Sequence, residues 1–148
     1  MKTIYDKEIL EELNARINAL NESSTARWGK MNVYEMLRHN VLWEELMLGK
    51  MKYKRVFIGR IFGKMALNNL IRDDKPIKQN MPTLKGFAIK AETGNIETEK
   101  HQWIDLLKEH TNSSATEFFH PFFGHMTKAQ AGYLAYKHTD HHLRQFGV

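Results

Sequence analysis

Apolar residues recur three and four apart along most of this chain. Wound at about 100° per residue, Ile9, Leu10, Leu13, Ile17 and Leu20 fall within an arc of about 100°, which predicts an amphipathic helix over residues 6–20. The next helix announces its own start. Asn32 is a good N-cap residue, and Glu35, three positions on, can reach back to complete a capping box. Met31 before the cap and Met36 four residues after it fit a hydrophobic staple. This helix should run to Leu48, with Gly49 as its stop. Its inner face reads Met36, His39, Leu42, Trp43 and Leu46, and its outer face Arg38, Asn40, Glu44 and Glu45.

Residues 55–71 are helical in period but less regular. Phe57, Ile58, Ile61, Phe62 and Met65 share one face, which is expected to pack on the rest of the fold, opposite Gly59, Arg60, Gly63 and Lys64. From Asp73 to Gly94 no period is evident. Connections of about 20 residues without regular structure are uncommon and often functional, so this one reads as a lid or as a crossover linking parallel helices. A further long helix is predicted from Asn95 to His110, with Ile96, Trp103, Ile104 and Leu107 as its stripe. "TNSSATEFFHPFFGHM" then reads as a loop anchored by Phe118, Phe119, Phe122 and Phe123. The last helix begins at Thr127 with a second capping box through Gln130, and runs to Phe146 with Gly147 as a C-cap. No repeat and no strand pair is expected. The fold class is therefore all-α: four long helices plus a shorter one inside a long connection, in a single domain over residues 1–148.

Composition sharpens this. At 42% hydrophobic over 148 residues, the chain can bury a sizeable core without staples. It has no cysteine, which excludes disulfides, thiolate metal ligands and a cysteine nucleophile. "MKTIYDKEIL" lacks the apolar stretch of a signal peptide, and no run approaches the ~20 apolar residues of a membrane span. The expected setting is cytoplasmic, with no membrane partner. The net charge of +5 is local. Lys50, Lys52, Lys54, Arg55, Arg60, Lys64 and Arg72 lie between Leu46 and Arg72 with no acidic residue, and the other 15 basic residues are outnumbered by 17 acidic ones. This segment is either a solvated face or a surface-binding stripe. No nucleic-acid module accompanies it, so no nucleic-acid partner is expected.

The candidate chemistry lies in "HTDHHLRQF", residues 138–146, which holds three of the eight histidines. On a helix, His138 and His142 are about 40° apart, and Gln145 is about 20° off the same line. Two imidazoles at i and i+4 converge on one ion. His141 sits about 60° to the side. His39 faces inward on its own helix and is the best third ligand, although a core histidine satisfied by hydrogen bonds would look the same. Three neutral imidazoles would leave positions open for water or substrate. His101, His110, His120 and His125 read as surface or loop residues, with His120 alternatively capping or orienting its loop.

Two segments resemble a known family. "WGKMNVYEMLRHNVLWEELM" is similar to the second helix of the DinB-like (YfiT-type) proteins, and "HTDHHLRQF" resembles their closing helix. Together with "HPFFGHMTKAQ", they resemble an uncharacterised subfamily ending in "HHLRQFG". The likeness covers nearly the whole chain, is strongest in 28–47 and 118–147, and is weak between 50 and 94. It implies a bundle with one long crossover and a metal site of His39, His138 and His142. Arg144 stands where many relatives have glycine, putting a large cation at the site's rim. The resemblance implies a metal ion activating water or a low-molecular-weight thiol on a small-molecule substrate, as a hydrolase or S-transferase; imidazole-only ligation is compatible with Zn, Ni, Fe or Cu, with divalent Zn or Ni expected first. Gln145 and His141 would orient a ligand or touch substrate, and a homodimer is expected. The alternative is a non-catalytic, metal-binding or stress-associated bundle.

Overall fold

Both predicted capping boxes close a helix start. In this computed structural model, which describes residues 1–83, 86–90 and 93–148, the Asn32 side chain accepts from the Glu35 amide and the Glu35 carboxylate accepts from the Asn32 amide, each at 2.8 Å. Thr127 and Gln130 do the same at 3.2 and 3.1 Å. Each box satisfies two amides that a helix start otherwise leaves without partners. The described residues form α1 (Lys7–Asn18), α2 (Val33–Met47), α3 (Phe57–Leu70), α4 (Ile96–Asn112), β1 (Glu117–His120), β2 (Gly124–Thr127) and α5 (Lys128–Gln145). Residues 84, 85, 91 and 92 of the predicted connection lie outside the described residues.

Helices α2 and α4 pack against each other most extensively, with α1 against α4 and α5, and α2 also against α5. Leu13 and Ile17 of α1, Met36, Leu37 and Val41 of α2, Trp103 and Leu107 of α4, and Ala135 and Leu143 of α5 are completely or almost completely buried at their meeting. The outer face read for α2 is not an outer face: Asn40 and Glu44 are buried. This helix is covered by α4 on one side and by α5 and β1 on others, so its polar residues meet protein as well as water. Glu44 Oε2 accepts from Nδ1 of His110 at 2.8 Å, and His110 is completely buried. His110 is thus a core residue, not a surface one. The polar partner made burial affordable, because a lone buried imidazole would lose its water bonds without replacement.

The expectation of an all-α chain without strands is also corrected. β1 and β2 form an antiparallel hairpin with Glu117 opposite Thr127 and His120 opposite Gly124. Phe118 and Met126 point inward while Glu117 and His125 are exposed. Four residues per strand are too few for a clear alternation, and the aromatic cluster disguises it. Gly124, at φ +83°, supplies the left-handed exit from the turn.

Helix α3 has 14 residues against 12 in α1, so it is not the shorter element that was expected. It also faces the other way. Gly59, Gly63 and Leu67 are buried, whereas Phe57, Ile58, Ile61, Phe62 and Met65 are exposed. The reason is the hairpin turn: a Cβ on Gly59 or Gly63 would lie 2.3 or 2.1 Å from the Phe122 carbonyl oxygen. Only a side-chain-free face lets this helix approach so closely. Val56 donates to the Pro121 carbonyl at 3.0 Å, and Lys64 Nζ donates to the His125 carbonyl. No helix among the described residues is long and apolar enough to cross a membrane.

Candidate metal centre

The chain brings together three imidazoles from two distant helices. His39 comes from the middle of α2, and His138 and His142 from successive turns of α5. One ligand nitrogen from each lies within 4.8 Å of the other two. His39 Nε2 and His138 Nε2 are 3.2 Å apart. Two nitrogens bound at about 2.1 Å to one ion sit roughly 3.0 to 3.4 Å apart for octahedral or tetrahedral angles, so this pair has the spacing an ion requires.

The hydrogen bonds around the rings decide their tautomers. His39 Nδ1 faces the Phe87 carbonyl oxygen at 2.8 Å. A carbonyl can only accept, so Nδ1 carries the proton, and in the neutral ring Nε2 keeps its lone pair. His142 Nδ1 lies 2.9 Å from Gln145 Oε1, while Gln145 Nε2 donates to the Trp28 carbonyl at 2.9 Å. The amide nitrogen must face that carbonyl, so Gln145 presents its oxygen to His142, and again the lone pair is at Nε2. These outer bonds are the kind that orient metal-binding histidines. His138 differs. Its ring stacks on Trp43, with centroids 4.5 Å apart and planes 13° from parallel, and its buried Nδ1 has no hydrogen-bond partner among the described residues.

Burial keeps the rings neutral. It is the main cause of the lowered pKa of His39, partly offset by the bond to Phe87. Burial, followed by the neighbouring His142 and His39, drives His138 well below the usual imidazole value. His142 is driven well below it by burial and then by His39. Neutral rings are what a cation needs from its ligands.

The remaining candidates are placed differently. Gln145 is buried, with both ends of its amide engaged, so it holds His142 and presents no free group to a substrate. His141 is half-buried, 5.1 Å from the His142 ring and 5.9 Å from Trp28, centroid to centroid. It lines a cleft of about 560 Å³ together with Trp28, Arg27, Arg16, Asp140 and Arg144. Burial lowers its pKa, and a bond to the Ile77 backbone partly restores it. Arg144 is on that rim, as expected, with Nε donating to Asp140 at 2.7 Å. None of the three clustered histidines lines the cleft.

Three contributors left no mark in the sequence. Phe87 and Trp28 act through their carbonyl oxygens, which every residue type has. Gly29 makes room: at φ +83°, its Cβ would lie 2.6 Å from Gln145 Nε2. His120 is buried in the hairpin, and its Nδ1 accepts from the amides of Phe122 and Phe123 at 3.2 and 3.3 Å. It orients the turn, as its alternative reading had it. His101 and His125 are exposed.

No curated protein and no solved structure matches the chain. The sequence profile of the DinB superfamily matches residues 7–146, from the start of α1 past the end of α5, and the chain therefore belongs to the DinB superfamily.

Proposed function

We propose that this chain is a metal-dependent enzyme acting on a small molecule, a hydrolase or a thiol S-transferase, with His39, His138 and His142 holding a divalent ion, Zn or Ni first. One observation carries the reading: two of three clustered imidazoles are locked with their lone pairs at Nε2 by carbonyl and carboxamide oxygens. Imidazole ligation suits Zn and Ni, and no cysteine is available to compete. When bound, the ion supplies Lewis-acid activation of a water or a thiol.

The protein's own residues divide the remaining work. Trp43 covers one face of His138 and keeps water from it. The cleft beside His141 receives the small molecule. Arg27 and Arg144 on its walls favour an anionic one, although Asp140 and Glu12 share the lining. His141 is the proton acceptor. One ring nitrogen is tied to Ile77, and its lowered pKa leaves the other with a lone pair near neutral pH. The carboxylates nearby are engaged elsewhere: Asp140 with Arg16 and Arg144, Glu12 with Arg16 and Lys2, Glu35 with the α2 cap, and Glu44 with His110.

The test uses untagged protein loaded with Zn or with Ni. It is assayed for ester, amide and phosphoester hydrolysis and for transfer to low-molecular-weight thiols. Turnover that chelation abolishes and metal restores is expected, with His141→Gln slowing kcat by about 10²-fold at unchanged metal content. Full metal content with no turnover in any assay counts against an enzyme.

That outcome would favour a second reading, in which the ion only staples α2 to α5. The absence of all three histidines from the cleft wall speaks for it. Chelation would then lower the melting temperature and change nothing else.

A further inference from the structure

We propose that α3 binds the surface of an anionic lipid bilayer, lying in the headgroup layer with its outward face toward the acyl chains. Phe57, Ile58, Ile61, Phe62 and Met65 are each between 47% and 75% exposed. At roughly 100 Å² each they make a patch of about 500 Å², a size that on a monomer is often functional. The helix is small where it meets its own protein and large where it meets solvent. Gly59 and Gly63 lie under the Phe122 carbonyl, and the five large side chains point away. An ordinary surface helix has the reverse arrangement. The close glycine contact also holds the helix formed before it meets a membrane, so binding does not have to fold the segment.

Charge selects the occupant. Wound at about 100° per residue, the buried Gly59, Gly63 and Leu67 span about 0° to 80°, Arg60 and Lys64 stand at about 100° and 140°, and the five apolar residues run from about 160° to 300°. Arg60 and Lys64 are exposed and edge the apolar face, where long cationic side chains reach lipid phosphates while the apolar residues insert. Lys52 and Lys54, just before the helix, are exposed as well. Among the described residues none of these four is in an ion pair, whereas Lys50 pairs with Glu109 and Arg72 with Asp73. Lys64 Nζ donates to the His125 carbonyl, which uses one of its three hydrogens. Glu117, an exposed acid of the hairpin, is turned to His125 at 3.8 Å. A second copy on this face would set the four cations against their own duplicates, whereas anionic headgroups neutralise them. Asn68 and Asn69, in the last turn, are the polar residues within the apolar arc and suit the headgroup layer. The expectation of no membrane partner rests on the lack of a spanning segment, and a helix lying in the surface needs none.

Co-sedimentation of the full chain with vesicles of phosphatidylcholine containing about 30% phosphatidylglycerol tests this, at about 0.1 M salt. The chain should bind these vesicles, bind pure phosphatidylcholine at least 10-fold more weakly, and come off at about 0.5 M salt. Ile61→Asp should lose binding with unchanged circular dichroism, since the side chain is not buried. Lys52→Gln/Lys54→Gln should weaken binding by about 25-fold, at about five-fold for each charge. The chain has no cysteine, so Ile61→Cys carrying an environment-sensitive fluorophore provides a second reading that survives misfolding of the Asp variant. Its emission should shift to the blue on anionic vesicles, whereas that of labelled Glu11→Cys on α1 should not. No binding to anionic vesicles overturns the proposal, as does equal binding to the neutral ones, binding that Ile61→Asp leaves intact, or an equal shift at the two labelled positions. A dimer by light scattering that Ile61→Asp dissociates, without vesicle binding, assigns the face to a second copy and also overturns it.

Discussion

Gln145 determines which nitrogen of His142 carries the proton. Its amide nitrogen is committed to the Trp28 carbonyl, so its oxygen accepts from Nδ1 and the Nε2 lone pair is free for an ion. Gln145→Leu removes that control while staying apolar inside a buried site. Metal affinity, measured by competition with a coloured chelator, should fall by about 10- to 100-fold with helix content unchanged. An unchanged affinity would mean that packing alone orients the ring.

Gly29 supports the same arrangement from behind. Gly29→Ala puts a Cβ against Gln145 Nε2 and strains a backbone at φ +83°. Gly49→Ala is the control, since Gly49 is also left-handed, at φ +71°, with nothing within 4 Å of its Cβ. Both variants should lose about 1 kcal/mol in denaturant melts from backbone strain. Only Gly29→Ala should also weaken metal binding.

The buried pair Glu44 and His110 should behave as one unit. Glu44→Leu strands the His110 Nδ1–H in the core and should cost about 3 kcal/mol. His110→Leu should cost a similar amount by stranding the carboxylate. The double variant should cost clearly less than the sum, with a coupling of about 1–3 kcal/mol in a denaturant double-mutant cycle. Simple additivity would show that the 2.8 Å contact contributes little.

His120 should make the metal-free protein acid-sensitive. Burial, then the charge of Arg55, lowers its pKa from 6.5 to about 4. Between these values the unfolded chain binds a proton that the folded chain does not, so stability is full above pH 6.5 and falls as pH drops toward 4. Protonating Nδ1 would also break its two bonds to the Phe122 and Phe123 amides. His120→Asn keeps an acceptor there but does not titrate. Relative to this variant, wild type should lose roughly 3 kcal/mol more between pH 7 and 4, read from urea melts at each pH. Parallel pH profiles would remove His120 from the account.

What was legible in the sequence was whatever is encoded within one turn of helix. The boxes at Asn32 and Thr127 sit within four residues, and the i, i+4 pair His138 and His142 needs only helix geometry. What failed depended on packing. Asn40, Glu44 and His110 look like surface residues until α2 is seen covered on several sides. The apolar row from Phe57 to Met65 looks like a core face until the hairpin claims the glycine side. Phe87, Trp28 and Gly29 serve the site through backbone oxygen or absent bulk, and residue type encodes neither. The short hairpin at 117–127 has too few alternations to stand out among its phenylalanines.

Metal content is the most direct test of the central claim. Protein purified without a histidine tag, with and without Zn or Ni reconstitution followed by desalting, should hold close to one equivalent of metal by elemental analysis. The variant His138→Ala/His142→Ala should hold almost none. Wild type that retains less than ~0.2 equivalents, unchanged in the double variant, would contradict the assignment of these histidines as a metal centre.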